Sequence, residues 1–454
     1  MRAERADLYC AAAAAVMVGF AFLLPLIGSE RWRDSIYAAA APIFGSWLPH
    51  VGWGTVPAIV LGALAVVYGP SVATRLPWRQ LLAVTWITGL AWAFLLAMVD
   101  GWQRGFVGRL TTGHEYLYEV GGVRDLGAMV DGFAERILDF QPDSWTTHVS
   151  GHPPGALLTF VLLDRVGLGG GLWASVLCTM VGCSGAVAVL VTLRALGAPE
   201  RARAAAPFLA LAPAAIWLAV SADALFAGVA AWAVALLALA LEPGARRPII
   251  ALGSGLLFGY ALFLNYGLVL MAAPAAAVLA LRGLRGVWPA VVGVLLVVGA
   301  FAASGFWWLD GYHLVVQRYY QGIATTRPVF YWVWANLAAT ICAVGLASAA
   351  VLHRLPGELG LPSFAEVRTN PMAALNSWRQ RADPAALVAV AGLTALVLAD
   401  LSLLSKAETE RIWLPFEIWV LAGTALLPAR TVRAWLAVQV LGALLIAHLI
   451  LTSW

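Results

Sequence analysis

The stretch "LYCAAAAAVMVGFAFLLPLI", residues 8–27, decides the fold class of this chain. It is an apolar run without a charge, about 20 residues long, which is the length a helix needs to cross a bilayer. No small-residue cleavage site follows it, so we expect a retained span rather than a signal peptide. The 454-residue chain is 62% hydrophobic and 11% charged, whereas soluble domains carry about a quarter charged residues. The sequence therefore predicts an integral membrane protein.

Further apolar segments of spanning length follow, and together they predict an all-α polytopic membrane protein with about 13 transmembrane helices in a single domain, residues 1–454. Gly and Pro interrupt several of these segments, which membrane helices tolerate when neighbouring helices satisfy the backbone. The predicted spans begin near Leu8, Val56, Leu81, Leu172, Ala204, Ala222, Ile249, Gly267, Val287, Tyr331, Ala385, Ile412 and Ala434.

Arginine fixes the orientation, because basic residues concentrate in cytoplasmic loops. The chain has 28 basic residues, of which only Lys406 is a lysine, and the net charge of +4 is explained by topology rather than by nucleic-acid binding. Residues 353–384 form the longest predicted cytoplasmic loop. The N-terminus is then inside and the C-terminus outside, provided that Pro154–Val166 does not cross. The arginines that mark the other inner loops are Arg75, Arg79, Arg194, Arg201, Arg203, Arg246, Arg247, Arg282, Arg285, Arg430 and Arg433.

The long loop of residues 100–170 is predicted to lie outside and to carry amphipathic surface helices. In "LGAMVDGFAERILDF", residues 126–140, apolar side chains recur every three or four positions and charged ones occupy the other side. This pattern indicates a helix lying on the membrane surface as an interfacial anchor.

Upstream in the same loop, "HEYLYEV", residues 114–120, places Glu115 and Glu119 on one helical face with His114 beside them. Partial desolvation at a membrane boundary raises the pKa of a carboxyl and makes it a better base. The alternative interpretation is that Glu115 and Glu119 are ordinary loop carboxylates exposed to water. Asp100, at the end of a predicted span, is a further candidate for the catalytic acid.

Downstream, "THVSGHPPGALLTF", residues 147–160, contains His148 and His152 at a spacing that could hold zinc on a helix. Pro153 and Pro154 interrupt such a helix, so we predict no metal site here. The prolines instead predict a helix that begins at Pro154, where a missing N–H costs nothing. His152 would then lie at the positive end of that helix, where anions are favoured.

Lysine and arginine side chains suited to a lipid phosphate, together with carboxylates, lie in three other predicted outer segments. "LLSKAETERIWLPF", residues 403–416, supplies the largest group, and Asp400 lies within the span just before it, where an ionisable residue is a functional hint. For Arg318 alone, a headgroup anchor is the preferred interpretation. The candidate substrate-binding residues in these segments are Asp223, Arg318, Arg327, Lys406, Glu408, Glu410 and Arg411.

In this order, "HEYLYEV", "LGAMVDGFAERILDF", "GHPPGALL", the "SADALF" junction and "SKAETERIWLP" resemble the GT-C membrane glycosyltransferases that use polyprenyl-phosphate sugars. The similarity is to members related to protein O-mannosyltransferases and aminoarabinose lipid A transferases, particularly actinobacterial ones, and it spans roughly residues 100–420. Members of the family usually present the catalytic acid soon after the first span, whereas here two more spans precede the loop. The choice among Asp100, Glu115 and Glu119 therefore stays open.

The resemblance implies a hexosyl- or pentosyltransferase in the bacterial plasma membrane, with its active site on the extracytoplasmic face. A carboxylate would deprotonate an acceptor hydroxyl as its oxygen attacks the anomeric carbon. This attack would invert that carbon while polyprenyl phosphate leaves. Partners would be the lipid-linked donor, a lipid-linked or polysaccharide acceptor and membrane lipids. No cofactor is predicted, and a divalent cation is left open. A lipid or solute transporter, a flippase, and a non-catalytic scaffold of the same fold are the alternatives.

Overall fold

The computed structural model describes residues 2–244 and 247–453, so Arg246 of the predicted inner loops lies outside the described residues. This part of the chain is predominantly helical. Two short strands, Gly45–Trp47 and Ile450–Thr452, pair antiparallel and join the segment after the first helix to the C-terminal segment. The all-α polytopic fold class is confirmed.

Seven helices in the described ranges are long and apolar enough to cross a bilayer, and the number rises to nine if each of two bent helix pairs is one span. The seven are Ala3–Ile27, Thr55–Arg75, Trp78–Ala97, Gly171–Ala195, Ala222–Ala240, Pro384–Leu401 and Val432–Leu449. The bent pairs are Trp288–Ala303 with Trp308–Gln321, at 73°, and Val329–Val344 with Leu346–Glu358, at 109°.

The remaining predicted spans fall on shorter or interrupted helices. Pro248–Leu264, Tyr266–Arg282 and Leu414–Leu426 are apolar but short. The segment predicted from Ala204 is divided into Pro199–Ala210 and Ala215–Leu218. Shorter helical elements connect the bundle: Glu30–Ile36, Gln103–Val107, Arg109–Thr111, Tyr116–Val120, Leu126–Asp131, Ala134–Arg136, Thr147–Ser150, Pro154–Arg165, Ile323–Thr325, Phe364–Thr369, Pro371–Arg381 and Thr409–Ile412.

Glycines in the left-handed region lie at the breaks of the two bent pairs. Gly345, with φ 78°, stands between Val344 and Leu346, and Gly305, with φ 92°, lies two residues after Ala303. A side chain disfavours this conformation, so glycine is the residue that allows a helix to end and the chain to change direction there.

Helices Gly171–Ala195 and Ala222–Ala240 cross at the centre of the bundle with their backbones in close approach. A Cβ atom on Gly228 would lie 2.1 Å from the carbonyl oxygen of Val181, and one on Gly182 would lie 2.8 Å from the Cβ of Ala224. Small residues permit such contact between membrane helices, where van der Waals packing drives association.

We therefore expect Gly228→Ala to lower the thermal stability of the purified protein, because one methyl group forces the two central helices apart. Gly299→Ala is the matched control, since a Cβ there meets nothing within 4 Å. Melting temperatures measured in the same detergent check this, and equal values for the two variants would contradict the close helix crossing.

Polar contacts gather at two ends of the bundle. At one end Asp7 binds His353 and Arg354, and Arg201 binds Asp383. These contacts join segments that were assigned to the inner side. At the opposite end the contacts are His50–Asp100, Arg104–Thr452, Arg318–Asp139, Arg327–Tyr37 and Arg411–Asp223.

The loop of residues 100–170 folds against this second end. The helix predicted after the two prolines is present as Pro154–Arg165, with Pro153 as its N-cap and Pro154 at its first position, which confirms the expected start. The helix expected over residues 126–140 is instead broken after Asp131. Its apolar residue Phe133 is buried between Trp145 and Phe306, with ring centroids 5.2 and 5.8 Å away. Met129, Phe133 and Ile137 of this apolar face are buried in the protein.

Candidate active site

Glu115 lies at the start of the short helix Tyr116–Val120, in extended backbone that directs its side chain into the protein. The residue is only 3% exposed. Its Oε1 lies 3.5 Å from Nδ1 of His148. Its Oε2 is buried and has no hydrogen-bond partner among the described residues. One carboxylate oxygen is thus oriented by a neighbour and the other has no hydrogen-bond partner among the described residues.

Burial raises the pKa of Glu115 to about 7, with the Arg411 charge opposing the rise and the Asp223 charge adding to it. A carboxyl group with a pKa near neutrality is suited to take up a proton during a reaction. Burial also lowers the pKa of His148 well below its usual value. His148 is therefore neutral at pH 7, and its contact with Glu115 is a polar contact rather than an ion pair.

His152 is fixed just before the two prolines. Its Nδ1 lies 2.8 Å from the carbonyl oxygen of His148 and 2.8 Å from the hydroxyl of Tyr116. The Tyr116 ring also packs on Phe160 of the following helix. The turn before Pro153 and the residue next to Glu115 are thereby joined in one rigid unit.

A buried cation lies beside this unit. Arg411 Nη1 donates to Asp223 Oδ2 at 2.7 Å, and Nη2 lies 3.5 Å from Glu408 Oε2. Asp223 is held in the first turn of its helix, and its Oδ1 is buried without a hydrogen-bond partner among the described residues. Burial opposes the charge on Arg411, but the nearby carboxylates of Asp223, Glu408 and Glu115 outweigh it and raise the pKa of Arg411.

Lys406 and Arg327 extend the cationic region. Arg327 Nη1 donates to the carbonyl oxygen of Lys406 at 2.6 Å and lies 3.3 Å from Glu408 Oε1. The Lys406 ammonium donates to the carbonyl oxygen of Ala324 at 2.8 Å, which leaves two of its three hydrogens for other acceptors. Three cations and Glu408 therefore form one continuous network.

Glu410 points away from this network. Its Oε1 accepts a hydrogen bond of 2.8 Å from the backbone N–H of Phe44, in the segment after the first helix. Burial raises the pKa of Glu410 to about 7. This residue ties the 403–416 segment to the residue just before the strand Gly45–Trp47.

Asp100 lies apart from Glu115, in a network of its own. Its carboxylate contacts His50 Nε2 at 2.7 Å and Arg109 Nη2 at 2.9 Å. Burial lowers the pKa of Arg109 to about 10, with the Asp100 charge opposing the change. Both oxygens of Asp100 are paired, which is the arrangement of a structural ion pair.

Glu119, His114 and Arg318 brace the long loop. Glu119 Oε1 accepts from the backbone N–H of Thr146 at 3.0 Å. His114 is exposed, and its carbonyl oxygen accepts from the N–H of His148. Arg318 pairs with Asp139 at 2.6 Å.

The structure thus brings Glu115, His148 and His152 together with Asp223, Glu408 and Arg411, and Arg327 and Lys406 adjoin this group through Glu408 and the backbone of Lys406. Asp100, His114, Glu119, Arg318 and Glu410 make their contacts elsewhere. Sequence reasoning missed Asn336, whose side chain binds the segment that carries Lys406. An amide side chain within an apolar span, in "VWANLAAT", is the signal that points to it.

No protein-family model matches the chain, and no curated protein matches it. The solved structures that are similar to it include the following two. One is ArnT from Cupriavidus metallidurans in the apo state, at 17% identity and a TM-score of 0.42, over 68% of this chain and 56% of that one. The other is the oligosaccharyltransferase of Archaeoglobus fulgidus in complex with zinc and sulfate, at 14% identity and a TM-score of 0.39, over 81% and 51%. The chain therefore spans about half the length of the solved structures it matches.

Proposed function

We propose that this protein is a membrane glycosyltransferase that moves a sugar from a polyprenyl-phosphate donor to an acceptor hydroxyl. The observation that carries the proposal is a buried carboxylate of near-neutral pKa, Glu115, beside a buried cation, Arg411. The order of the sequence motifs, which resembles that of GT-C transferases, supports it.

In the proposed reaction Glu115 Oε2 takes the proton of the acceptor hydroxyl. The acceptor oxygen forms a bond to the anomeric carbon while the bond from that carbon to the phosphate oxygen breaks. The electron pair leaves with the phosphate, and the product is inverted. Positioning and charge neutralisation supply most of the catalysis, because phosphate is already a good leaving group.

Arg411 and Lys406 are the proposed partners of the donor phosphate. Asp223 fixes Arg411 through Nη1, so the longer contact of Nη2 with Glu408 is the one a phosphate would replace. His148 and His152 hold the base and the adjacent turn, and the acceptor would be a lipid-linked or polysaccharide hydroxyl at the envelope side of the membrane.

Transfer with synthetic donors tests the proposal. Purified protein is incubated with polyprenyl phosphates that carry different hexoses or pentoses, with and without a chelator, and the released polyprenyl phosphate is measured. We expect release with at least one donor, and the chelator arm reports any divalent-cation requirement. Absence of release across the panel, in protein that binds polyprenyl phosphate, contradicts the proposal.

We further propose that the site faces the extracytoplasmic side, and cysteine labelling tests this. Phe140 and Leu361 are 82% and 67% exposed and lie in the predicted outer and inner loops. In a background without the four native cysteines, Phe140→Cys is expected to react with an impermeant thiol reagent in intact cells. Leu361→Cys is expected to react only after permeabilisation. The reverse pattern would place the site inside.

A further inference from the structure

Asp400 and Asn336 form a buried polar pair next to the proposed donor site. Asp400 lies in the last turn of helix Pro384–Leu401, and Asn336 lies within helix Val329–Val344. Both are buried, and Asn336 Nδ2 donates to Asp400 Oδ1 at 2.8 Å. Neither side chain takes part in the proposed reaction.

The amide of Asn336 binds the chain on both sides of Lys406. Its Nδ2 also donates to the carbonyl oxygen of Ser405 at 2.8 Å, and its Oδ1 accepts from the N–H of Ala407 at 3.3 Å. The backbone oxygen of Asn336 accepts from the hydroxyl of Thr409 at 3.4 Å. Of these four hydrogen bonds of Asn336, three join it to the segment that carries the cations.

The backbone of this segment needs such support. Leu403, Ala407 and Glu408 have φ of 59°, 71° and 64°, a left-handed conformation that is uncommon for residues with a Cβ atom. Such a conformation persists where the surroundings determine it, and it clusters at ligand sites. The bonds from Asn336 to Ser405 and Ala407 hold the turn in which two of these residues follow Lys406.

Asp400 determines which way the amide of Asn336 faces. A carboxylate accepts hydrogen bonds only, so it selects the orientation in which Nδ2 points to Asp400 and Ser405. The amide oxygen is then left for the N–H of Ala407. Neither a carboxylate nor an apolar side chain at position 336 can both donate to Ser405 and accept from Ala407.

We propose that Asn336 and Asp400 are positioning residues that place Lys406 and Arg411 for a lipid phosphate. This inference rests on the proposed function, because it assigns these cations to the phosphate of the donor. Asn336 acts through the backbone of residues 405–409 and does not touch the substrate.

The test uses full-length protein in detergent and a synthetic polyprenyl phosphate as the binding probe. Asn336→Leu and Asn336→Asp are each expected to weaken binding of the polyprenyl phosphate by about tenfold or more. The loss of one or more hydrogen bonds has an effect of this order. Both are also expected to raise the KM for donor without changing the KM for acceptor, and to speed hydrogen exchange in residues 402–411. Asp400→Asn keeps the side-chain volume, and we expect a smaller effect in the same direction.

Gln439→Leu is the matched control, because Gln439 is also a buried amide, and it donates to the carbonyl oxygen of Phe208 away from residues 402–411. It is expected to lower the melting temperature and leave binding unchanged. Wild-type binding in Asn336→Leu and Asp400→Asn, with weak binding in Lys406→Gln and Arg411→Gln, overturns the positioning role and leaves the proposed function intact. Wild-type binding in all four variants overturns both.

Discussion

Glu115→Gln is expected to lower the rate of sugar transfer by about 10² to 10⁴, the usual effect of removing a general base. The amide keeps the shape of the side chain and cannot accept the proton of the acceptor hydroxyl. We expect the melting temperature to stay equal or rise, because Oε2 of the carboxylate is buried without a hydrogen-bond partner among the described residues. Initial rates with a synthetic donor, together with melting curves, check both parts.

Asp100→Asn and Glu119→Gln are the matched controls, since each carboxylate is paired elsewhere. Both are expected to lower stability more than they lower turnover. Near-normal turnover in Glu115→Gln, together with an inactive but folded Asp100→Asn, would contradict the assignment of Glu115. The base would then be Asp100, just after helix Trp78–Ala97.

The pH profile of the wild-type protein follows from the same carboxyl group. Since a base acts in its unprotonated form, kcat/KM is expected to rise with pH and to level off above the pKa of Glu115, which burial raises to about 7. The contribution of Glu115 to folding stability changes with pH in the opposite direction. A carboxyl whose pKa is raised on folding from 4.5 to about 7 binds more protons in the folded state, so its contribution to stability is lost as pH rises across that window.

Arg411→Gln is expected to cost about 3–5 kcal/mol of stability, the usual effect of removing one partner from a buried ion pair. Arg411 and Asp223 have side chains that are 5% and 1% exposed and meet at 2.7 Å, so the variant leaves an uncompensated buried carboxylate. The same variant is expected to bind a donor phosphate weakly. Melting temperature and equilibrium binding measure the two losses separately.

The double variant Arg411→Gln with Asp223→Asn separates folding from function. It removes both charges, so most of the lost stability is expected to return. Donor binding is expected to stay weak, because the cation is still absent. Recovery of donor binding in the double variant would show that Arg411 serves the fold alone.

The amino-acid sequence predicted the polytopic helical class because long apolar segments have few alternatives in a membrane. It also predicted the start of helix Pro154–Arg165, since two successive prolines leave few other conformations. The burial of Glu115 is in accord with the desolvation expected at a membrane boundary. In each case the local chemistry of the chain determines the outcome.

Other features depend on tertiary contacts that periodicity does not report. Residues 126–140 show an amphipathic pattern, but Phe133 is covered by Trp145 and Phe306 rather than by lipid. Glu119 binds the backbone of Thr146, from a segment that lies more than twenty residues along the chain. A sequence pattern indicates that a face is apolar or that a side chain is polar, and the partner is set by the fold.

The fate of the donor in proteoliposomes tests the central claim most directly. Vesicles containing the protein are loaded with a polyprenyl-phosphate sugar labelled in both lipid and sugar, and a soluble or lipid-linked acceptor is added. We predict that the labels separate, with free polyprenyl phosphate and an inverted glycoside formed by the wild-type protein and neither formed by Glu115→Gln. Donor that crosses the bilayer with both labels still joined, at equal rates in both proteins, would contradict a transferase and identify a transporter.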